Sequence, residues 1–71
     1  MPIFCVNRKE QPNGDHEVHD LTPGRCTRLP DTQNRLDLGS HLSCASAVQQ
    51  AKRTYSQSNG CYHCCPSCHT T

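Results

Sequence analysis

The residues with the clearest chemistry lie in one Cys-rich segment near the C-terminus, residues 61–69, which we call the knuckle. It contains two CxxC units back to back, Cys61/Cys64 and Cys65/Cys68. The two sulfurs of a CxxC unit lie on one side of a tight turn, so they can hold one tetrahedral metal ion or form a disulfide with each other. The knuckle therefore predicts either a metal site or a disulfide.

The composition indicates that this chain needs such a cross-link. It has 71 residues, of which 32% are hydrophobic, with no Trp and a single Phe. A domain of this size is marginal from its apolar core alone, and small polar domains normally add a metal ion or disulfides. A structural zinc ion contributes about 10–16 kcal/mol of apparent binding free energy, which exceeds the total stability of many domains. Seven Cys and five His are the available ligands.

Two observations favour a metal ion over disulfides. Residues 1–10 lack the basic segment and apolar run of a secretory signal, so we expect a cytoplasmic protein, and disulfides are disfavoured in that reducing compartment. The number of cysteines is odd, so disulfides alone would leave one thiol unpaired.

No apolar run approaches the roughly 20 residues of a membrane-spanning helix, and no membrane partner is expected. Mixed Cys and His ligands favour one zinc ion over harder metals.

A structural zinc site takes four Cys or His ligands in a tetrahedron. A CxxC unit supplies two, and we expect the other two from a separate element, so that the ion joins two parts of the chain. His19 and Cys26 bracket the turn that follows a predicted hairpin. The leading ligand set is His19, Cys26, Cys61 and Cys64.

Cys65 and Cys68 are the alternate ligands for the same ion. Cys68 can stand in place of Cys64 or Cys26. Cys65 directly follows Cys64, and two adjacent ligands strain a single tetrahedron. Even a site of four cysteines would leave at least three of the seven spare. Residues 69–71 are expected to form a frayed tail.

Residues 1–22 predict a β-hairpin. Residues 2–7 are rich in β-branched and aromatic side chains, as is typical of a strand, and Cys5 is expected to be a small buried hydrophobe within it. Asn13-Gly14 is a strong hairpin signal because both residues accept a positive φ. Residues 16–21 form the returning strand.

One helix is predicted over residues 43–58. Ser43 is a good N-cap, because its hydroxyl can accept a backbone N–H of the first turn. Apolar side chains from Cys44 to Tyr55 fall on one stripe with a 3.6-residue period, so Cys44 is expected to face the core. A reactive thiol at the helix start is the alternative for Cys44. Asn59-Gly60 supplies a left-handed stop, after which the chain enters the knuckle.

These elements predict a single small α+β domain over residues 1–71. It consists of the N-terminal hairpin, a candidate third strand at residues 35–38, one C-terminal helix and the knuckle. A zinc ion is expected to join the loop after the hairpin to the knuckle.

Between residues 19 and 64, a His and a Cys precede a polar stretch, a short strand, a Ser-capped helix that carries Ala, and a CxxC unit. The residues in question are His19, Cys26, Leu42, Ser43, Ala47, Ala51, Gly60, Cys61 and Cys64. This order resembles the Ada-type metal-binding domain and its thermonuclease-associated relatives. The resemblance implies a small sheet with a helix that holds one zinc ion. It maps the zinc ligands of that family onto His19, Cys26, Cys61 and Cys64. The methyl-acceptor chemistry of Ada is not carried over, because nothing in the sequence identifies such a nucleophile.

A closed site with four protein ligands leaves no open position for a substrate. We therefore expect a structural-zinc binding or interaction module without catalytic activity. Its partner is a protein or a nucleic acid, and the net charge of +1, with scattered Lys and Arg, favours neither. The alternative is a thiol-based metal-handling or redox-sensing protein that uses the spare cysteines. A hydrolytic zinc enzyme is disfavoured, because His16 and His19 lie three residues apart in a predicted strand, not four apart on a helix.

Overall fold

In the computed structural model, which describes residues 1–70, four strands form one sheet and a single α-helix packs against it. The elements are β1 (Ile3–Asn7), β2 (His16–Asp20), β3 (Arg35–Ser40), α1 (Cys44–Ala51) and β4 (Ser58–Gly60). Two short 3₁₀ turns span Thr32–Asn34 and Pro66–Cys68. The strand order in the sheet is β3-β1-β2-β4. The predicted α+β class is confirmed.

The hairpin of β1 and β2 forms the centre of the sheet. The two strands are antiparallel, and Val6 pairs with Val18. In the loop between them Gly14 has a φ of +92°, a conformation that costs glycine little. The backbone N–H of Gly14 donates to the carbonyl of Gln11 at 2.7 Å, and the N–H of Gln11 donates to the carbonyl of Asp15 at 2.8 Å. The Asn-Gly signal therefore marks the turn, although the loop is longer than two residues.

The third strand is present as β3, and it pairs antiparallel with the other edge of β1. It is longer than the four residues 35–38 because its pairing continues to Ile3 opposite Ser40. No helix within residues 1–70 is both long enough and apolar enough to span a membrane.

The hydrophobic core lies between the sheet and α1. Its buried residues are Phe4, Val6, Val18, Leu38, Ala47, Ala51, Cys61, Cys64 and Cys65. Ala47 and Ala51 lie one turn apart on the same face of the helix, so that α1 presents only methyl groups to the sheet at these positions. Three of these nine residues are knuckle cysteines, so the stability of the core depends on whether their sulfurs are thiols, metal-bound thiolates or oxidised.

The helix is shorter than predicted, because it ends at Ala51 and not at residue 58. The N–H groups of Thr54 and Tyr55 donate to the carbonyl of Ala51 at 3.0 and 2.8 Å, which closes the last turn. The chain then reverses, and the ring of Tyr55 stacks on His16 with ring centroids 3.9 Å apart. The apolar stripe from Cys44 to Tyr55 predicted a long helix, but Tyr55 lies beyond the end of the helix and makes its contact with His16 there.

The segment after the helix forms a strand where a helix stop was predicted. Asn59 and Gly60 belong to β4, which runs parallel to β2. Within residues 1–70, positive φ values occur at three other glycines and not at Gly60. Ser, Asn and Gly are weak helix formers, and in β4 their backbone groups gain partners from the edge of β2. At the start of the helix Ser43 is the N-cap residue, but its hydroxyl makes no capping hydrogen bond.

Candidate metal centre

The structure brings together the four residues of the leading ligand set. His19, Cys26, Cys61 and Cys64 each place a ligand atom within 4.8 Å of the ligand atoms of the other three. The Nδ1 of His19 lies 3.6 Å from the Sγ of Cys26 and 3.7 Å from the Sγ of Cys64, and the sulfurs of Cys26 and Cys61 lie 3.9 Å apart. Ligand atoms about 2.0–2.3 Å from a tetrahedral zinc ion are separated by roughly 3.5–4 Å. The cluster is therefore positioned to hold a metal ion.

The parallel pairing of β4 with β2 explains why the knuckle meets His19. Val18 is in register with Gly60, so the next residues along each strand, His19 and Cys61, are neighbours. The N–H of Cys61 donates to the carbonyl of Val18 at 2.9 Å and continues this pairing into the knuckle. Cys26 approaches from the loop after β2. Three separate parts of the chain therefore supply the ligand atoms.

The cluster is largely removed from solvent. His19 and Cys61 are 0% exposed and Cys64 is 2% exposed, whereas Cys26 is half-buried. Burial disfavours the charged form of each group. It raises the pKa of the Cys61 and Cys64 thiols and lowers the pKa of His19 to about 4. Without a cation, burial therefore favours the neutral forms of His19, Cys61 and Cys64, and a divalent ion would bind the cysteines as thiolates.

Two backbone donors point at the sulfurs of the knuckle. The N–H of Asp20 donates to the Sγ of Cys64 at 3.3 Å, and the N–H of His63 donates to the Sγ of Cys61 at 3.4 Å. Hydrogen bonds of this kind favour the thiolate and oppose the effect of burial. Sequence reasoning did not identify these donors, because they depend on the tertiary contact between β2 and the knuckle.

The second nitrogen of His19 also fits a metal site. Within residues 1–70 the buried Nε2 has no hydrogen-bond partner, and the carboxylate of Glu17 lies 3.9 Å from it. A metal-bound His commonly donates its other N–H to a carboxylate, which fixes the ring and its tautomer. With a metal ion on Nδ1, a proton on Nε2 would face Glu17. Glu17 is therefore a candidate supporting residue for His19 that sequence reasoning missed. Residues i and i+2 of a strand point to the same face, so the spacing of Glu17 and His19 in a predicted strand was a usable signal.

The alternate ligands are placed elsewhere. Cys68 forms a disulfide with Cys44, with their Cα atoms 6.3 Å apart, so Cys68 is not a thiolate ligand. Cys65 is buried and unpaired, and it lies outside the cluster of four. The expectation of metal in place of disulfides is wrong for this one pair. The disulfide forms because the 3₁₀ turn at the end of the knuckle folds back onto the start of α1.

Two further expectations about single residues have different outcomes. Cys5 is fully buried in β1 as predicted, and this burial raises the pKa of its thiol to about 11. The predicted frayed tail is wrong for residues 69 and 70. His69 Nδ1 lies 3.0 Å from the carbonyl oxygen of Gly60, and the N–H of Thr70 donates to Oδ1 of Asn59 at 2.9 Å. Thr71 lies outside the described residues.

A cavity of about 610 Å³ lies beside the cluster. Cys44, Cys64 and Cys65 line it, together with the charged pair Asp20 and Arg25. The Nε of Arg25 lies 4.0 Å from a carboxylate oxygen of Asp20, and the Arg25 side chain is 58% exposed. One cavity therefore adjoins a candidate metal ligand, an unpaired thiol and one residue of the disulfide.

Comparisons with family models, with curated proteins and with solved structures found no match. The resemblance to the Ada-type domain stays a prediction from the residues of this chain. A functional assignment for the protein therefore depends on the geometry of the cluster.

Proposed function

We propose that the protein is a binding or interaction module that is stabilised by one structural zinc ion and has no catalytic activity of its own. The observation that carries this proposal is the convergence of one imidazole nitrogen and three cysteine sulfurs within 4.8 Å. Thiolate and imidazole ligands in a tetrahedron suit zinc. The protein would fill all four positions, so a substrate would find no open coordination site.

The small hydrophobic core, which has nine buried residues, supports a structural role for the ion, because a domain of this size normally needs a cross-link. The ion would connect β2, the loop that carries Cys26 and the knuckle. Its binding energy would appear as folding energy, because the unfolded chain does not hold the four ligands together.

The module would then act through its surface on a protein or nucleic-acid partner, and the net charge of +1 fits either class. A cytoplasmic location belongs to the same proposal.

Native mass spectrometry tests the proposal directly. Protein expressed in zinc-supplemented medium should carry one tightly held zinc ion, and circular dichroism should show loss of structure after chelation. The matched pair of variants is Cys61→Ser, which removes a buried ligand, and Cys5→Ala, which changes an equally buried cysteine outside the cluster. A wild-type protein that binds no zinc and keeps its fold in chelator would overturn the proposal.

A second candidate function is metal handling or redox sensing by the spare cysteines. The observation that favours it is the disulfide between Cys44 and Cys68, together with the unpaired Cys65 on the wall of the same cavity. A cytosolic disulfide is usually transient and redox-sensing. Counting the reactive thiols of the zinc-loaded protein separates the two functions. Inert thiols support the structural module, and rapid reversible oxidation supports the second candidate.

A further inference from the structure

The disulfide between Cys44 and Cys68 lies beside a cavity. Cys44 is the first residue of α1, and Cys68 is the last residue of the 3₁₀ turn in the knuckle. Both residues are half-buried. Of the two, Cys44 lines the cavity that also adjoins Cys64. A small thiol that enters this cavity would therefore contact Cys44.

The disulfide anchors the segment that carries two of the four candidate ligands. The N–H of Cys65 donates to the carbonyl of Cys61 at 2.8 Å, and the N–H of Cys68 donates to the carbonyl of Cys65 at 3.0 Å. Cys61 is thus connected to Cys68 through consecutive hydrogen-bonded turns. The disulfide fixes the end of this unit to α1. The covalent loop that it closes contains both Cys61 and Cys64.

We propose that this disulfide is a site of thiol–disulfide exchange, and that its redox state sets the metal affinity of the cluster His19, Cys26, Cys61 and Cys64. The inference rests on the proposed function, because it takes this cluster to be the metal site. The co-reactant is a small-molecule thiol. The two sites communicate through the knuckle, whose conformational freedom depends on whether the disulfide is closed.

The exchange has two steps. A thiolate of the co-reactant attacks the Sγ of Cys44, the bond to Cys68 breaks, and Cys68 leaves as a thiolate. A second thiolate then attacks the sulfur of the first co-reactant in the mixed disulfide and releases Cys44. The protein disulfide gains two electrons, two molecules of the thiol are oxidised to their own disulfide, and their two protons go to the released cysteines at neutral pH.

The closed disulfide favours metal binding. A cross-link removes conformational freedom from the chain before the ligands are brought together. In the opened form the knuckle loses its anchor to α1, and ordering Cys61 and Cys64 costs more free energy. We expect the dissociation constant for zinc to rise by about tenfold or more on reduction. Because coupling between two sites is reciprocal, zinc should shift the equilibrium between disulfide and thiol by the same factor toward the disulfide.

The test compares zinc affinity in the two redox states of the full chain. Protein with one disulfide, verified by mass, is titrated with Zn²⁺ against a competing chelator, and the titration is repeated after reduction with a phosphine. The double variant Cys44→Ser, Cys68→Ser keeps all four ligands and cannot close the bond. We expect it to bind zinc as weakly as the reduced wild type does, and we expect the reductant to leave its zinc affinity unchanged.

The outcomes separate the redox inference from the metal site. One zinc ion bound equally well in both redox states, or more tightly after reduction, would overturn the inference and leave the proposed function standing. No zinc in either state would overturn both. If the double variant does not fold, a second measurement on the wild type decides. The disulfide is equilibrated with glutathione buffers with and without Zn²⁺, and an unchanged equilibrium would refute the coupling.

Discussion

Gly60 and Cys68 are in close contact across the junction of β4 and the knuckle. A Cβ atom on Gly60 would lie 2.7 Å from the Cβ of Cys68 and 2.9 Å from the carbonyl oxygen of Cys65. The 3₁₀ turn therefore packs directly against the backbone of β4. This contact, and not a left-handed conformation, explains the glycine at this position.

Gly60→Ala should destabilise the protein by about 1–3 kcal/mol, because the added methyl group forces backbone atoms apart in a packed region. Chemical denaturation of the zinc-loaded protein measures this difference. Gly24→Asn is the control. Gly24 has a φ of +80°, no atom of residues 1–70 lies within 4 Å of the position that a Cβ would take, and Asn tolerates this conformation. Equal stability of both variants and the wild type would contradict the close packing of the knuckle on β4.

The choice between the leading and the alternate ligands can be tested with two substitutions. Cys26→Ser removes a sulfur of the cluster, and Cys65→Ala removes the unpaired thiol outside it. We expect Cys26→Ser to lose the tightly held zinc ion and to weaken the sulfur-to-metal charge-transfer bands of the cobalt-substituted protein. Cys65→Ala should keep both. Loss of the metal from Cys65→Ala alone, with Cys26→Ser unaffected, would exchange the roles of the two residues.

Glu17 should tune the metal site through His19. Its carboxylate lies 3.9 Å from Nε2 of His19, which has no hydrogen-bond partner among the described residues, so Glu17→Gln removes the charge that would favour a proton there. Substitutions of such supporting residues typically cost about 10–100-fold in metal affinity. Competition titration with Zn²⁺ measures the effect. Glu10→Gln changes the net charge equally at an exposed residue in the hairpin loop, and it should leave the affinity unchanged. Equal affinities of the two variants would exclude a specific role for Glu17.

The hairpin and the pair Cys61/Cys64 were accessible from the sequence because their signals are local, whereas His19 and Cys26 were included because they bracket the turn after the hairpin. Asn13-Gly14 marks a turn by itself, and CxxC fixes two sulfurs within four residues. The parallel pairing of Val18 with Gly60 is different, because it joins residues that are distant in sequence. The segment 58–60 consists of Ser, Asn and Gly, which are poor helix formers and are therefore compatible with a helix stop and with a strand. Only the free edge of β2 decides that they form a strand and not a helix stop.

The disulfide could not be read from the sequence for a similar reason. Cys65 and Cys68 form a CxxC unit, which suggested that the two residues would act together. In the structure the turn Pro66–Cys68 directs the two side chains to different surroundings, so that Cys65 is buried and Cys68 reaches Cys44. The spacing of cysteines thus shows which sulfurs are close along the chain, whereas the packing of the turn on α1 selects their partners.

Asn59 should anchor the C-terminal residues to the sheet. Its Oδ1 accepts hydrogen bonds from the N–H groups of Gly60 and Thr70 at 3.0 and 2.9 Å, and its Nδ2 donates to the carbonyl of Thr70 at 2.6 Å. The residue is only 6% exposed, so water cannot readily replace these partners. Because Asn59→Ala leaves several of them unpaired, we expect a loss of about 1–3 kcal/mol in unfolding free energy.

Amide hydrogen exchange distinguishes this anchor from general destabilisation. In Asn59→Ala the amide of Thr70 should exchange much faster, whereas the amide of Cys61, which bonds the carbonyl of Val18, should change only as far as global stability falls. Gln57→Ala is a suitable control, because Gln57 also makes side-chain hydrogen bonds to the hairpin loop, but at exposed positions. Protection of Thr70 that persists in Asn59→Ala would show that other contacts hold the tail.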